Sequence, residues 1–207
     1  MKKIIYTPEQ DQISEIEKIV SMFEMGADYL YLRKPEKDIS YWYAYIEQFP
    51  YGWESKMITS EFKLLHDLKL GGFHFKRETL NNISEKDLIE NLKMLKDSSI
   101  KSSVTAHDLS ELNKYDGQFD IVLISPLFDS ISKKEYHGNW DFEKLKIFIE
   151  NRTPLSTLLI GQGGIVDKNF MEVQSLGLDG YALLGYLWNS SEDVIENFKK
   201  LRDGDRG

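Results

Sequence analysis

The sequence predicts an α/β fold, a (β/α)8 TIM barrel, and three observations carry that prediction. Eight short apolar runs recur along the chain, separated by segments with helical spacing. Strict alternation of strand and helix implies parallel strands joined by right-handed crossovers. The length of 207 residues suits eight such units, at the short end for this barrel. The rival is an open doubly wound sheet, which usually has fewer strands and often a glycine-rich first turn. Here the first turn reads YTPEQDQ, without glycine.

The strand segments are, in order, KKIIYT (2–7), DYLYLR (28–33), KMITS (56–60), GGFHFK (71–76), IKSSVT (100–105), DIVLIS (120–125), TLLIG (157–161) and GYALLG (180–185). Each has the length and continuous apolar character of a parallel strand buried on both faces. The first helical segment places Ile13, Ile16, Ile19, Val20 and Phe23 on one face, with Gly26 at the C-terminal cap. A weaker helix fits 38–48. The next starts at Ser60 and stops at Gly71; weaker ones follow at 84–97 and 108–115. Segments 140–153, 167–180 and 190–204 each open on polar capping residues. No linker or second domain interrupts residues 1–207, and the tail LRDGDRG is expected to fray.

Composition narrows the function. Apolar residues make up 41% and the net charge is −8. An acidic chain argues against nonspecific nucleic-acid binding, which needs a basic face. It leaves room for a local positive pocket. The absence of cysteine excludes disulfides, thiolate metal sites and a cysteine nucleophile. MKKIIYTPEQ does not read as a signal peptide, and no apolar run has the ~18 residues of a membrane span. A soluble, cytoplasmic protein is expected.

In this fold the working residues gather at the C-terminal ends of the strands. Those ends read Thr7, Arg33-Lys34, Thr59-Ser60, Lys76-Arg77, Thr105 to His107, Ser125 to Lys134, Gly161 to Gly164, and Leu184-Gly185. Cations, hydroxyls and glycines dominate, with almost no carboxylates. This local inversion of charge points to an anionic ligand. The sixth strand runs into Ser130, Ser132, Lys133 and Lys134; an anion grip and a solvated loop both fit that stretch.

Taken together, the strand ends resemble the thiamine phosphate synthase / TenI family over nearly the whole chain. GADYLYLRKP (26–35) is similar to that family's GAD-x-x-Q-x-R-x-K, and LGGFHFKRETL (70–80) to GADGVHLGQEDL. SVTAHDLSEL (103–112) resembles G-x-S-x-H-x-x-x-E. ISPLFDSISKKEYHG (124–138) resembles GPVFPT-x-T-K and its loop. LLIGQGGIVDKNFMEVQSLGLDGYALLG (158–185) follows the GGI and GADGVAVIS signatures.

The resemblance implies a transferase that joins hydroxymethylpyrimidine diphosphate to thiazole phosphate and releases diphosphate by a dissociative route. It implies Arg33 and Lys133 as the catalytic cations, with Ser130 and Ser132 beside Lys133 in the phosphate grip. It places Tyr31, Lys34, Thr59, Lys76, Arg77, Thr105 and His107 around the substrates. Gly163, Gly164, Leu184 and Gly185 would form the thiazole phosphate cup, at turns where glycine permits close backbone approach. The implied partners are small phosphorylated substrates, with no nucleic acid and no membrane; a homodimer is left open.

The chain also departs from the family pattern. Tyr31 stands for a glutamine, and Pro35 for a lysine, with Lys34 adjacent. Thr59 and Ser60 stand for Asn-Asp, and Thr79 for an aspartate. The family uses those two aspartates to hold Mg²⁺, so the cofactor it implies lacks its carboxylates here and no metal ligand is assigned. Lys76 and Arg77 replace Gly-Gln and could supply the missing positive charge. Two further readings stay open: a TenI-like thiazole tautomerase, whose loop histidine is Pro126 here, and a non-catalytic phosphate-binding protein.

Overall fold

The computed structural model describes residues 1–129, 140–153 and 157–205. The chain runs β1 (Lys2–Tyr6), α1 (Glu15–Glu24), β2 (Tyr29–Tyr31), α2 (Ile39–Ile46), β3 (Met57–Thr59), α3 (Phe62–Leu68), β4 (Gly72–Phe75), α4 (Arg77–Asn82), α5 (Glu85–Asp97), β5 (Lys101–Ala106), α6 (Leu109–Tyr115), β6 (Ile121–Ile124), α7 (Phe142–Asn151), β7 (Leu158–Gln162), α8 (Phe170–Ser175), β8 (Gly180–Leu183), α9 (Gly185–Trp188) and α10 (Val194–Gly204). All eight strands are parallel and close into a barrel in sequence order, β1 pairing with β8 through Ile4↔Ala182. The predicted (β/α)8 barrel is what forms.

Alternation along each strand builds two cores. Ile4, Tyr6, Tyr31, Ile58, Ile121, Leu123, Ile160 and Ala182 point into the barrel. Their neighbours Ile5, Leu30, Val122 and Ile124 pack outward against the helices. Strands buried on both faces are largely apolar, hence the near-continuous runs; Ser102 and Ser103 on β5 and His74 on β4 are polar positions satisfied by hydrogen bonds. Aspartate and serine caps start the helices, as the sequence leads one to expect. Asp38, Asp108 and Asp141 accept from the amides of Tyr41, Glu111 and Lys144, and Ser84 from Asp87. Each such cap contributes ~1 kcal/mol.

Several local expectations are corrected. Ile13 lies outside α1 and is 89% exposed, because Ser14 adopts a left-handed conformation (φ 54°) and the helix begins only at Glu15. Met22 takes its place on the buried face. The helix expected to stop at Gly71 ends at Leu68, with Lys69 as the left-handed residue. Gly71 answers a different need, since a Cβ there would sit 1.7 Å from the Ser55 carbonyl oxygen. The helices α4 and α9 were not expected. The C-terminal tail does not fray as far as Asp205, whose carboxylate binds the Met1 ammonium at 3.1 Å and Lys3 Nζ at 2.8 Å.

Candidate active site

The C-terminal mouth holds a cleft of about 500 Å³ bounded by β4, β5 and the loops after β6, β7 and β8. A second cavity of about 540 Å³ lies on the β1–β4 side. Arg33, His74, Lys76, Glu78, Thr105 and Gln162 line both, so the two form one working surface. Among the predicted site residues, Arg33, Lys76, Arg77, Thr105, His107, Gly163, Gly164, Leu184 and Gly185 meet in the first space. Tyr31, Lys34 and Thr59 border the second. Ser130, Ser132 and Lys133 lie outside the described residues.

Arg33 is positioned by its backbone. Its amide donates to Thr7 Oγ1 at 2.8 Å, and the Thr7 hydroxyl donates to the Arg33 carbonyl at 3.0 Å. This clasp locks the ends of β1 and β2, while the guanidinium pairs with Glu9. Lys34 turns the other way. Its side chain is fully buried, and Nζ donates to the Pro8 carbonyl at 3.0 Å and pairs with Glu15 at 3.0 Å and Asp11 at 3.2 Å. Those contacts use all three ammonium donors, so Lys34 can reach a ligand only by breaking the cluster. Tyr45 also donates to Glu15. Lys34 therefore anchors the β2–α2 loop to α1.

Lys76 Nζ pairs with Glu61 at 3.0 Å, and Arg77 Nη2 donates to both Glu111 carboxylate oxygens, at 2.8 and 3.0 Å. Glu111 also accepts from the His107 amide at 2.9 Å. Among the described residues, the expected excess of positive charge at the mouth is thus corrected. Carboxylates absent from the strand ends arrive from neighbouring elements and pair with the cations. Thr59 is buried, and its hydroxyl accepts from the Glu61 amide at 3.0 Å.

On the opposite side, backbone shapes the wall. Gly163 and Gly164 have φ of 93° and 65°. A Cβ on Gly164 would lie 2.4 Å from the Asp129 carbonyl oxygen and 2.7 Å from Phe128 Cβ. The chain's own packing therefore requires this glycine, before any ligand is considered. Asn169 Nδ2 holds the turn by donating to the Gly164 carbonyl at 2.9 Å. Gly185 and Tyr186 open α9, where first-turn amides lack intrahelical acceptors.

The floor of the mouth sets the predicted Tyr31 beside His74, which the strand-end pattern does not mark out. His74 stands between outward-facing Phe73 and Phe75 on β4, so it points inward. Its Nδ1 meets Ser103 Oγ at 2.9 Å. Burial, then the Lys76 charge, pushes the imidazole down to about 4, so it is neutral at pH 7. Tyr31 packs edge-on against it at 5.6 Å and lies 5.0 Å from the Tyr6 ring. Burial raises both phenols far above their ordinary value. The Tyr31 hydroxyl is buried and, among the described residues, makes no well-aligned hydrogen bond. Ser103, a polar neighbour of that phenol, is engaged by His74. A lone polar residue inside GGFHFK was the available signal for His74.

The donor set does not fit Mg²⁺. Hard divalent cations take oxygen ligands that usually include carboxylates. Thr59, Ser60 and Thr79 offer hydroxyls and no carboxylate. Among the described residues no group of three or more acidic or histidine side chains could hold a metal.

These features define a (β/α)8 barrel with a charged cleft at its C-terminal mouth. The chain is similar to the solved thiamine phosphate pyrophosphorylase of Bacteroides thetaiotaomicron, at 27% identity and a TM-score of 0.77, covering 100% of this chain and 98% of that one. It is also similar to the Pyrococcus furiosus thiamine phosphate pyrophosphorylase, at 16% identity and a TM-score of 0.76, covering 98% and 94%. The 3-hexulose-6-phosphate synthase of Salmonella typhimurium matches at 13% identity and a TM-score of 0.66, covering 98% and 97%. The last two show the fold alone. No family model and no curated protein matches the chain. The resemblance to thiamine phosphate synthases read from the motifs thus extends across the whole chain. Among the described residues no helix is long and apolar enough to cross a membrane.

Proposed function

We propose that this barrel joins hydroxymethylpyrimidine diphosphate to thiazole phosphate and releases diphosphate. The observation that carries the reading is the whole-chain likeness to a thiamine phosphate pyrophosphorylase at 27% identity. In the reaction, the bond between the pyrimidine methylene carbon and the diphosphate oxygen breaks, and the electron pair leaves with diphosphate. The thiazole nitrogen then gives its lone pair to that carbon. The protein's task is to hold the growing negative charge with donors already in place. Arg33, Lys76 and Arg77 share one cleft and take the diphosphate, with Lys133 and its serines as further donors in this reading. Thr105 and His107 border the same anion, and the 163–164 and 184–185 turns receive the thiazole phosphate. A soluble, cytoplasmic setting belongs to the same proposal.

Diphosphate binding is proposed to depend little on Mg²⁺ and strongly on ionic strength. The cations that replace the metal are partly exposed, and charges are screened over ~8–10 Å at 0.1–0.15 M salt. A second reading, binding without turnover, is favoured by the missing metal carboxylates. The tautomerase reading gains no such support, because Pro126 offers no proton-transfer group where that reading needs one. Calorimetric titration of the pyrimidine diphosphate tests the assignment, with and without EDTA. Arg33→Ala should lose ~1.5–3 kcal/mol of binding, the range for hydrogen bonds to charged groups. Unchanged affinity in the variant, or wild-type binding abolished by EDTA, would refute it.

A further inference from the structure

We infer that Glu9, Glu61 and Glu111 act as internal place-holders for the anion, occupying the cations of the mouth and lowering its affinity for phosphorylated ligands. The inference rests on the phosphate reading above and adds residues which that reading leaves without a role. Three cations line one cleft, and each carries a carboxylate partner: Arg33 with Glu9, Lys76 with Glu61, Arg77 with Glu111. Each of the three glutamates lies on a different element or loop from its cation. Each reaches in from the β1 loop, the start of α3 or the first turn of α6.

The Arg33–Glu9 and Lys76–Glu61 pairs are built to separate, and at the third pair the Arg77 guanidinium can leave while Glu111 keeps the His107 amide. Side-chain exposures are 39% and 46% for Arg33 and Glu9, 50% and 50% for Lys76 and Glu61, and 56% and 25% for Arg77 and Glu111. Exposed pairs of long side chains contribute little to stability. The Lys34–Glu15 pair nearby has the same chemistry at 0% and 5% exposure and is not exchangeable. A carboxylate and a phosphate oxygen offer the same acceptor geometry to a guanidinium fork. An arriving diphosphate can therefore replace the glutamates donor for donor, with no cation left unpaired at either stage. The glutamates offset the charge of these three cations and oppose the anion until it displaces them.

Inorganic pyrophosphate, titrated by calorimetry at low salt, tests this without reference to turnover. Glu9→Gln, Glu61→Gln and Glu111→Gln should each tighten binding roughly two- to fivefold, as expected for losing an exposed competing pair. The triple variant should gain about tenfold or more, and the gain should shrink as salt rises. Glu85→Gln makes the same charge change at an α5 residue that does not line the cleft, and should gain nothing. Melting curves for each protein identify a variant that fails to fold, and the single substitutions then decide. Variants that bind pyrophosphate no tighter than wild type, or as tightly as Glu85→Gln, would overturn the place-holder role and leave the anion site standing. Pyrophosphate binding to none of the proteins would remove the phosphate reading itself.

Discussion

The two faces of the barrel use carboxylates in opposite ways. At the N-terminal face the acids are short and grip backbone. Asp28 accepts from the Lys3 amide at 2.9 Å, Asp120 from the Ser102 amide at 2.9 Å, and Asp179 from the Leu159 amide at 2.8 Å. Each ties the start of one strand to a loop beside its neighbour and so fixes register. At the C-terminal mouth Glu9, Glu61 and Glu111 sit on cation side chains, and Glu111 also takes the His107 amide at 2.9 Å. A backbone-bound aspartate cannot leave without unsatisfying a strand. A glutamate on an exposed cation can leave once another anion arrives. The same charge pairing therefore holds the fold at one end and stays exchangeable at the other.

The sharpest way to break this division is at Lys34, the buried exception on the ligand side. Lys34→Met leaves Glu15 buried against Tyr45 without its cation. Losing one partner of a buried pair costs about 3–5 kcal/mol, and chemical denaturation should register that loss. A smaller value would place the pair among the exchangeable ones. Asp120→Ala comes next, because three contacts vanish together: the Ser102 amide and hydroxyl, each at 2.9 Å, and Lys101 at 3.0 Å. We expect a cost of about 2–3 kcal/mol from charge-assisted bonds. Glu61→Gln, the matching change at the mouth, should cost about 0–1 kcal/mol. Equal costs at the two faces would erase the contrast.

The pH dependence of stability sharpens the picture of the mouth's floor. The His74 imidazole is held down to about 4 in the folded protein, below its ordinary value of 6.5. The unfolded chain thus binds the proton more readily. The stability contributed by the neutral ring is full above pH 6.5 and drains away as pH falls toward 4. With one unit worth ~1.4 kcal/mol and the ring bordering the cleft, the loss should be about 1–2 kcal/mol. Comparing wild type with His74→Asn across that window isolates the effect. Parallel stability curves for the two proteins would show that His74 does not titrate there.

What the sequence made legible follows from periodicity and chain locality. Eight parallel strands are visible because burial on both faces leaves few polar positions in the run. The helices α4 and α9 are not, being six and four residues long, too short for an apolar period to emerge. Ile13 was counted into α1 because its spacing fits, but a left-handed Ser14 cannot be read from spacing. The strand-end cations were legible one by one. Their partners were not, since Glu9 lies 24 residues from Arg33 and Glu111 lies 34 from Arg77. Charge counted along strand ends therefore overstated the field at the mouth. Lys34 shows the same limit, as adjacency to Arg33 said nothing about which way its side chain turns.

Product formation tests most directly the proposed joining of two phosphorylated substrates without the metal carboxylates of the family that the chain resembles. The purified protein should be incubated with hydroxymethylpyrimidine diphosphate and thiazole phosphate, once with Mg²⁺ and once with EDTA. Thiamine phosphate and diphosphate should be measured together. The account predicts equal amounts of the two products under both conditions, and their loss in Arg33→Ala. An absence of thiamine phosphate under both conditions would contradict it.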